Sequence, residues 1–191
     1  MGAIASEVGN LSFFATRANV LLYDTTGPFC FEGFGNRLIF ETFQTPPERW
    51  VGWGTDGSAA GTQALADPGA TFNFGSDFLG CARLESGVLF GGSTPAQSGI
   101  WLTRGTPETT SLVLGSGDAN APLTSRMRPH FVARGSELLF GVGDGLYRSD
   151  GSPDGTLPIT TLADFWYGSL GVARDGTIYF GDFELQASDG T

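Results

Sequence analysis

A tandem repeat limits the folds open to this chain more than any other feature of its sequence. Thr55-Asp56-Gly57-Ser58-Ala59-Ala60-Gly61-Thr62 returns as Ser149-Asp150-Gly151-Ser152-Pro153-Asp154-Gly155-Thr156. A degenerate copy runs from Thr103 through Arg104 and Gly105 to Thr110, and a fourth copy begins at Ser188-Asp189-Gly190-Thr191. An aromatic residue precedes three of them at one fixed offset, as Trp53, Trp101 and Tyr147, and Gln186 takes that slot in the fourth. A chain that writes one turn four times folds as a row of similar units, each too small to bury its apolar face alone.

A second element recurs upstream of each turn, an apolar pair ending in Phe: Leu38-Ile39-Phe40, Val88-Leu89-Phe90, Leu138-Leu139-Phe140 and Ile178-Tyr179-Phe180, with Leu11-Ser12-Phe13-Phe14 as an earlier variant. The steps between the anchors Phe14, Phe40, Phe90, Phe140 and Phe180 are 26, 50, 50 and 40 residues. Three of the four steps match the roughly 40–50 residues of a four-stranded propeller blade. Within a unit, short strands alternate with Gly-rich turns: Phe131–Arg134, Glu137–Phe140, Gly145–Ser149 and Leu157–Thr161 form one such set. Asp-Gly supplies the positive φ of a tight reversal, and the Ser or Thr hydroxyls bond nearby backbone. The expected fold is therefore all-β, a β-propeller of about four to five blade-like repeats in one domain over residues 1–191. Its approximate units are 1–28, 29–77, 78–128, 129–168 and 169–191. No terminal strands are identifiable that would close the ring, so the expectation is an incomplete propeller or a fragment of one.

On these motifs the chain resembles a bacterial repeat family with the consensus E-L-W-x-[ST]-D-G-T-x-x-G-T, found in tandem in β-propeller-like proteins. Glu184-Leu185-Gln186-Ala187-Ser188-Asp189-Gly190-Thr191 matches it apart from the Trp, and Leu146 to Thr156 matches its core. The resemblance spans about residues 9–191. It implies a propeller without assigned catalytic residues, in an extracellular or periplasmic setting.

Composition narrows the function classes. The net charge is −10 and all ten basic residues are Arg. An acidic chain is a poor partner for phosphate backbones, so nucleic acid is not expected. The absence of Lys excludes Schiff-base and P-loop chemistry, which need that amine. No long apolar run is present, so membrane insertion is not expected, and Met1 to Glu7 shows no signal-peptide pattern. Two cysteines, Cys30 and Cys81, do not make a disulfide framework. Each falls near the first strand of its unit, and strands lining a channel some distance apart would leave two buried free thiols.

Few motifs carry chemistry. Asp56, Asp150, Asp154 and Asp189 suggest calcium in the turns, but Arg104 breaks the series and no alternating acidic ladder is present. Capping of structural turns by Asp56, Gly57, Asp150, Gly151, Asp189 and Gly190 is therefore the expected role, with no cofactor and no metal. The Ser-x-Asp-x-Gly-x-x-Trp order of sialidase Asp boxes is not matched. His130 is the only His, which removes two-His metal sites and weakens His-based triads.

The segments between units carry Phe72, Phe74, Asp77 and Phe78, then Arg126, Arg128 and His130, then Phe165, Trp166 and Tyr167. Aromatics beside Arg can stack on a sugar or anchor a peptide. The candidate ligand-binding residues are Arg126, Arg128, His130, Phe165, Trp166 and Tyr167; Phe72, Phe74 and Phe78 are assigned to packing between blades. The expected function is a non-catalytic binding or scaffolding module for a protein or carbohydrate. The alternative is a propeller hydrolase or lyase using Asp77, Asp118 or Asp164 at the channel mouth, which for glycosidase work requires paired carboxylates.

Overall fold

The computed structural model describes residues 20–21, 30–44, 49–65, 80–93, 97–115, 130–142, 145–161, 169–181 and 185–190. Among them the chain is all-β, in four antiparallel sheets, with a single 3-10 turn at Pro107–Thr109. In the first sheet β1 (Val20–Leu21) and β2 (Phe31–Phe34) lie end to end along one edge of β3 (Arg37–Gln44). The other edge of β3 pairs with β4 (Arg49–Thr55), which pairs with β5 (Gln63–Ala64). The second sheet runs β6 (Cys81–Arg83), β7 (Val88–Ser93), β8 (Ser98–Thr103), β9 (Ser111–Gly115). The third runs β10 (His130–Arg134), β11 (Glu137–Val142), β12 (Gly145–Ser149), β13 (Leu157–Thr161). The fourth is β14 (Ser169–Val172), β15 (Ile178–Gly181) and β16 (Gln186–Ser188). Leu11 to Phe14 lie outside the described residues.

The repeat sets the register. Each anchor Phe pairs directly with the aromatic that leads the next strand: Phe40 with Trp53, Phe90 with Trp101, Phe140 with Tyr147. Cross-strand aromatic pairs are among the stronger local determinants of register, and the rings of Phe140 and Tyr147 stack at 5.6 Å. Phe180 instead faces Gln186, where the repeat has lost its aromatic. The register slips by one residue just before the aromatic in two sheets, between Ile100 and Trp101 and between Leu146 and Tyr147. Such bulges bend and twist the outer strands. Pro158 is tolerated because β13 ends its sheet.

The sheets stack in chain order through their first strands, with β2 beside β6, β6 beside β10 and β10 beside β14. Side chains alternate between the two sheet faces. Ile39 and Cys30 of the first sheet join Leu84, Val88 and Phe90 of the second in a core that continues through Leu89 and Ile100 to Leu138 and Phe140 of the third. Leu139 and Leu146 of the third sheet meet Leu170, Ile178 and Phe180 of the fourth. The residue before each anchor Phe thus faces the following sheet, and the anchor faces the preceding one. Among the described residues no sheet closes into a barrel, and β14 does not return to pack against β2.

The cysteines correct the expectation of free thiols. Cys30 and Cys81 form a disulfide with their Cα atoms 5.2 Å apart. The expectation separated the first strands across a channel, whereas β2 and β6 are direct neighbours. The bond staples the first sheet to the second, and its 51-residue separation corresponds to about 4 kcal/mol in the chain-entropy account.

Close backbone approach also holds these two sheets. A Cβ at Gly54 on β4 would meet the Gly105 backbone, with the Gly105 Cα at 2.8 Å. Among the described residues nothing lies within 4 Å of a Cβ at Gly33 on β2. Gly54→Ala is therefore expected to destabilise the chain by about 1–3 kcal/mol, an overpacking cost, with Gly33→Ala much milder, as read from urea unfolding midpoints. Equal effects would contradict the close contact.

Candidate functional site

Antiparallel pairing divides the sheet ends into two sets. At one end lie the hairpin turns 35–36, 84–87, 135–136 and 173–177 together with every Asp-Gly turn. At the other end the first strands begin, and there the segments 66–79, 116–129 and 162–168 join one sheet to the next.

The Asp-Gly turns share one network. Gly57, Gly105, Gly151 and Gly190 have φ of 89°, 94°, 92° and 82°, in the left-handed region that favours Gly. The N–H of each donates at 3.0 Å to the hydroxyl two residues earlier, on Thr55, Thr103, Ser149 and Ser188. Those hydroxyls bond across the turn base to Thr62, Thr110 and Thr156 in the three full copies. Asp56 Oδ1 accepts from the N–H and hydroxyl of Ser58, and Asp150 Oδ1 from those of Ser152. The serine hydroxyl and N–H hold both carboxyls below the ordinary Asp range.

This geometry explains the degenerate copy. A Cβ at Gly61 would overlap the Asp56 carboxylate, and one at Gly155 the Asp150 carboxylate. Where Arg104 replaces the Asp, its Nε reaches Ser86 O at 2.9 Å, and Thr109 takes the Gly slot. The Thr109 hydroxyl then accepts from the N–H groups of Arg104 and Thr106. Asp and Gly are lost together because each makes room for the other.

The turns also dock between sheets. Arg37 of the first sheet donates to Gly105 O of the second sheet's turn at 3.2 Å. Ser86 of the second donates to Asp150 O of the third at 3.0 Å, and Arg134 of the third to Asp189 O of the fourth at 2.8 Å. Among the described residues no group of three or more His, Cys, Asp or Glu is arranged as a metal site.

At the opposite end His130 opens β10 and is exposed, some way along the sheets from the turns that hold Asp56, Asp150 and Asp189. Arg126, Arg128, Phe165, Trp166 and Tyr167 lie outside the described residues, as do Phe72, Phe74, Asp77, Phe78, Asp118 and Asp164.

The chemically unusual residue of this half is one the repeat analysis passed over. Glu41 is only 3% exposed, and its Oε2 has no hydrogen-bond partner among the described residues. It sits on β3 between the stretch paired with β2 and the stretch paired with β1, opposite Gly52. The register carries Cys30 just past the Phe31–Phe40 pair, so the disulfide lies alongside Glu41 on the face turned to the second sheet. Burial pushes its carboxyl up to about 8. At neutral pH it holds its proton. A signal was available in the sequence: the anchors Phe90, Phe140 and Phe180 are each followed by Gly, whereas the anchor Phe40 is followed by Glu.

Between the ordinary carboxyl value of 4.5 and about 8, the folded chain holds a proton that the unfolded chain has released. Stability contributed by this group is therefore full below pH 4.5 and falls by about 1 kcal/mol per pH unit up to about pH 8. Urea titrations across this range are expected to show Glu41→Gln flattening the pH profile and gaining about 4 kcal/mol over wild type at pH 8. Parallel profiles for the two proteins would count against a neutral buried Glu41.

Compared with known proteins, the chain matches no family model, no curated protein and no solved structure.

Proposed function

We propose that the chain is a β-propeller-type repeat domain acting as a non-catalytic binding or scaffolding module, which offers the loop end of its sheets to a protein or carbohydrate partner. The observation that carries this is the division of labour between the two sheet ends. The Asp-Gly end is occupied by turn-to-turn docking, with Arg37, Ser86 and Arg134 engaged on the carbonyls of the following turns. The opposite end carries exposed His130, and the inter-sheet segments that lead into the first strands there hold Arg126, Arg128, Phe165, Trp166 and Tyr167 in sequence. Side-by-side first strands support the propeller-type stacking, and the repeat motif supports kinship with the bacterial Asp-Gly repeat family.

The remaining properties fit this role. A net charge of −10 disfavours nucleic acid as the partner. No helix among the described residues is long and apolar enough to cross a membrane. The Cys30–Cys81 bond suits an oxidising compartment, in keeping with an extracellular or periplasmic location.

A glycan and peptide array probed with wild type identifies the ligand class. Trp166→Ala and Arg128→Ala are then expected to weaken the captured ligand at least about tenfold, the effect of losing an aromatic or Arg anchor, with unchanged thermal unfolding. Binding that survives both substitutions intact would move the ligand away from the loop end.

A further inference from the structure

The two sulfurs of the Cys30–Cys81 bond stand in unequal surroundings. Cys30 is 2% exposed within the core, whereas Cys81 opens β6 and is half-buried. A thiol arriving from solution therefore meets Cys81 first, and Cys30 is the sulfur that leaves. A thiolate left in apolar surroundings is costly unless a proton meets it. One step past the Phe31–Phe40 pair, the register sets Cys30 beside Glu41. Side chains so placed on neighbouring antiparallel strands have Cβ atoms about 5 Å apart.

For a purely structural junction Glu41 is an expensive residue. It is buried, and its Oε2 has no hydrogen-bond partner among the described residues. Gly52, opposite it on β4, brings no side chain. The same position in the other three sheets is Gly91, Gly141 or Gly181, so the carboxyl occurs in the sheet that holds the buried sulfur. Among the described residues, the charged side chains that share this face are Glu32, Arg37 and Arg83. Arg37 is engaged on Gly61 O and Gly105 O, and Arg83 lies over the Phe34 ring. The described side chains of β4, β7 and β8 add no titratable group to it. Glu41 is thus the buried acid beside the leaving sulfur.

We infer that Cys30, Cys81 and Glu41 form a thiol–disulfide exchange site, reducible by a dithiol in the folded chain, with Glu41 as the proton donor to Cys30. The dithiol's thiolate attacks Cys81 Sγ, forming a mixed disulfide and breaking the Cys30–Cys81 bond. The electron pair of that bond leaves on Cys30 Sγ, which takes the Glu41 proton. The second thiolate of the dithiol then attacks its own sulfur in the mixed disulfide, closes a disulfide within the reductant and releases Cys81, which takes a proton from water. The dithiol loses two electrons and two protons, the cysteine pair gains two of each, and Glu41 regains its proton from solvent. In the reverse direction the Glu41 carboxylate removes the Cys30 proton and makes the attacking thiolate. The site stands independently of the ligand-binding role proposed above.

The test is the rate of reduction of the oxidised full chain by dithiothreitol from pH 6 to pH 10, read by acid quench, alkylation and intact mass. Each rate is divided by the thiolate fraction of dithiothreitol at that pH. With Glu41 titrating at about 8, the corrected wild-type rate is expected to be level at low pH and to fall about tenfold between pH 7 and pH 9. Glu41→Gln is expected to be at least about tenfold slower at pH 7 and level throughout, since it has no proton to give. Reduction by opening of the sheets gives the opposite sign, because the folded chain loses stability as Glu41 ionises and the corrected rate would then rise with pH. A corrected wild-type rate that rises or stays level overturns the proposal. So does a variant that keeps the wild-type fall, or a bond reduced only as fast as the chain unfolds. If thermal unfolding shows that Glu41→Gln has lost its fold, the wild-type profile decides alone.

Discussion

The fold depends on sheets burying each other through direct contact of their first strands. Each sheet is a thin, two-faced layer, and a layer of three to five short strands cannot stabilise itself with both faces in water. The chain answers this by burying the faces that consecutive sheets turn toward each other. Ile39, Leu89 and Leu139 point forward and Val88, Leu138 and Ile178 back, all of them nearly or wholly buried. Stability then resides mainly between sheets, and removing one neighbour exposes a face designed for contact.

The Asp-Gly turn gains a second role in this light. Inside a sheet it reverses the chain, with Asp, Ser and Thr side chains taking up backbone donors. Between sheets it is the part gripped by Arg37, Ser86 or Arg134. Glycine meets both needs, since φ near 90° and a neighbour pressed against the missing Cβ exclude other residues. The first pair of sheets is joined by more than this, with the disulfide and Glu41 lying together on one face. A neutral buried carboxyl beside a covalent staple makes that junction the least interchangeable of the three.

Much of the architecture was legible in the sequence, and the failures have physical reasons. Four anchor Phe residues and the Asp-Gly motif located the strands, because period-two strands and positive-φ turns leave local signatures. The disulfide was not legible, because it depends on whether two first strands touch, which no local pattern encodes. The loss of Gly at Thr109 looked like decay until the Asp56 and Asp150 carboxylates were seen to fill the space that Gly61 and Gly155 leave. Glu41 breaks the Phe-Gly pattern that Phe90, Phe140 and Phe180 share, but its burial depends on the face turned to the second sheet and not on local sequence. Of the candidate ligand residues, His130 alone falls among the described residues.

The most direct measurement of side-by-side stacking is the state of the two cysteines. Peptide mapping without reductant, on protein made under oxidising conditions and alkylated after unfolding, should yield one linked peptide pair joining Cys30 to Cys81 and no alkylated cysteine. That bond requires β2 and β6 to be neighbours. Quantitative alkylation of both thiols in folded, unreduced protein would separate those strands and contradict the stacking on which the account rests.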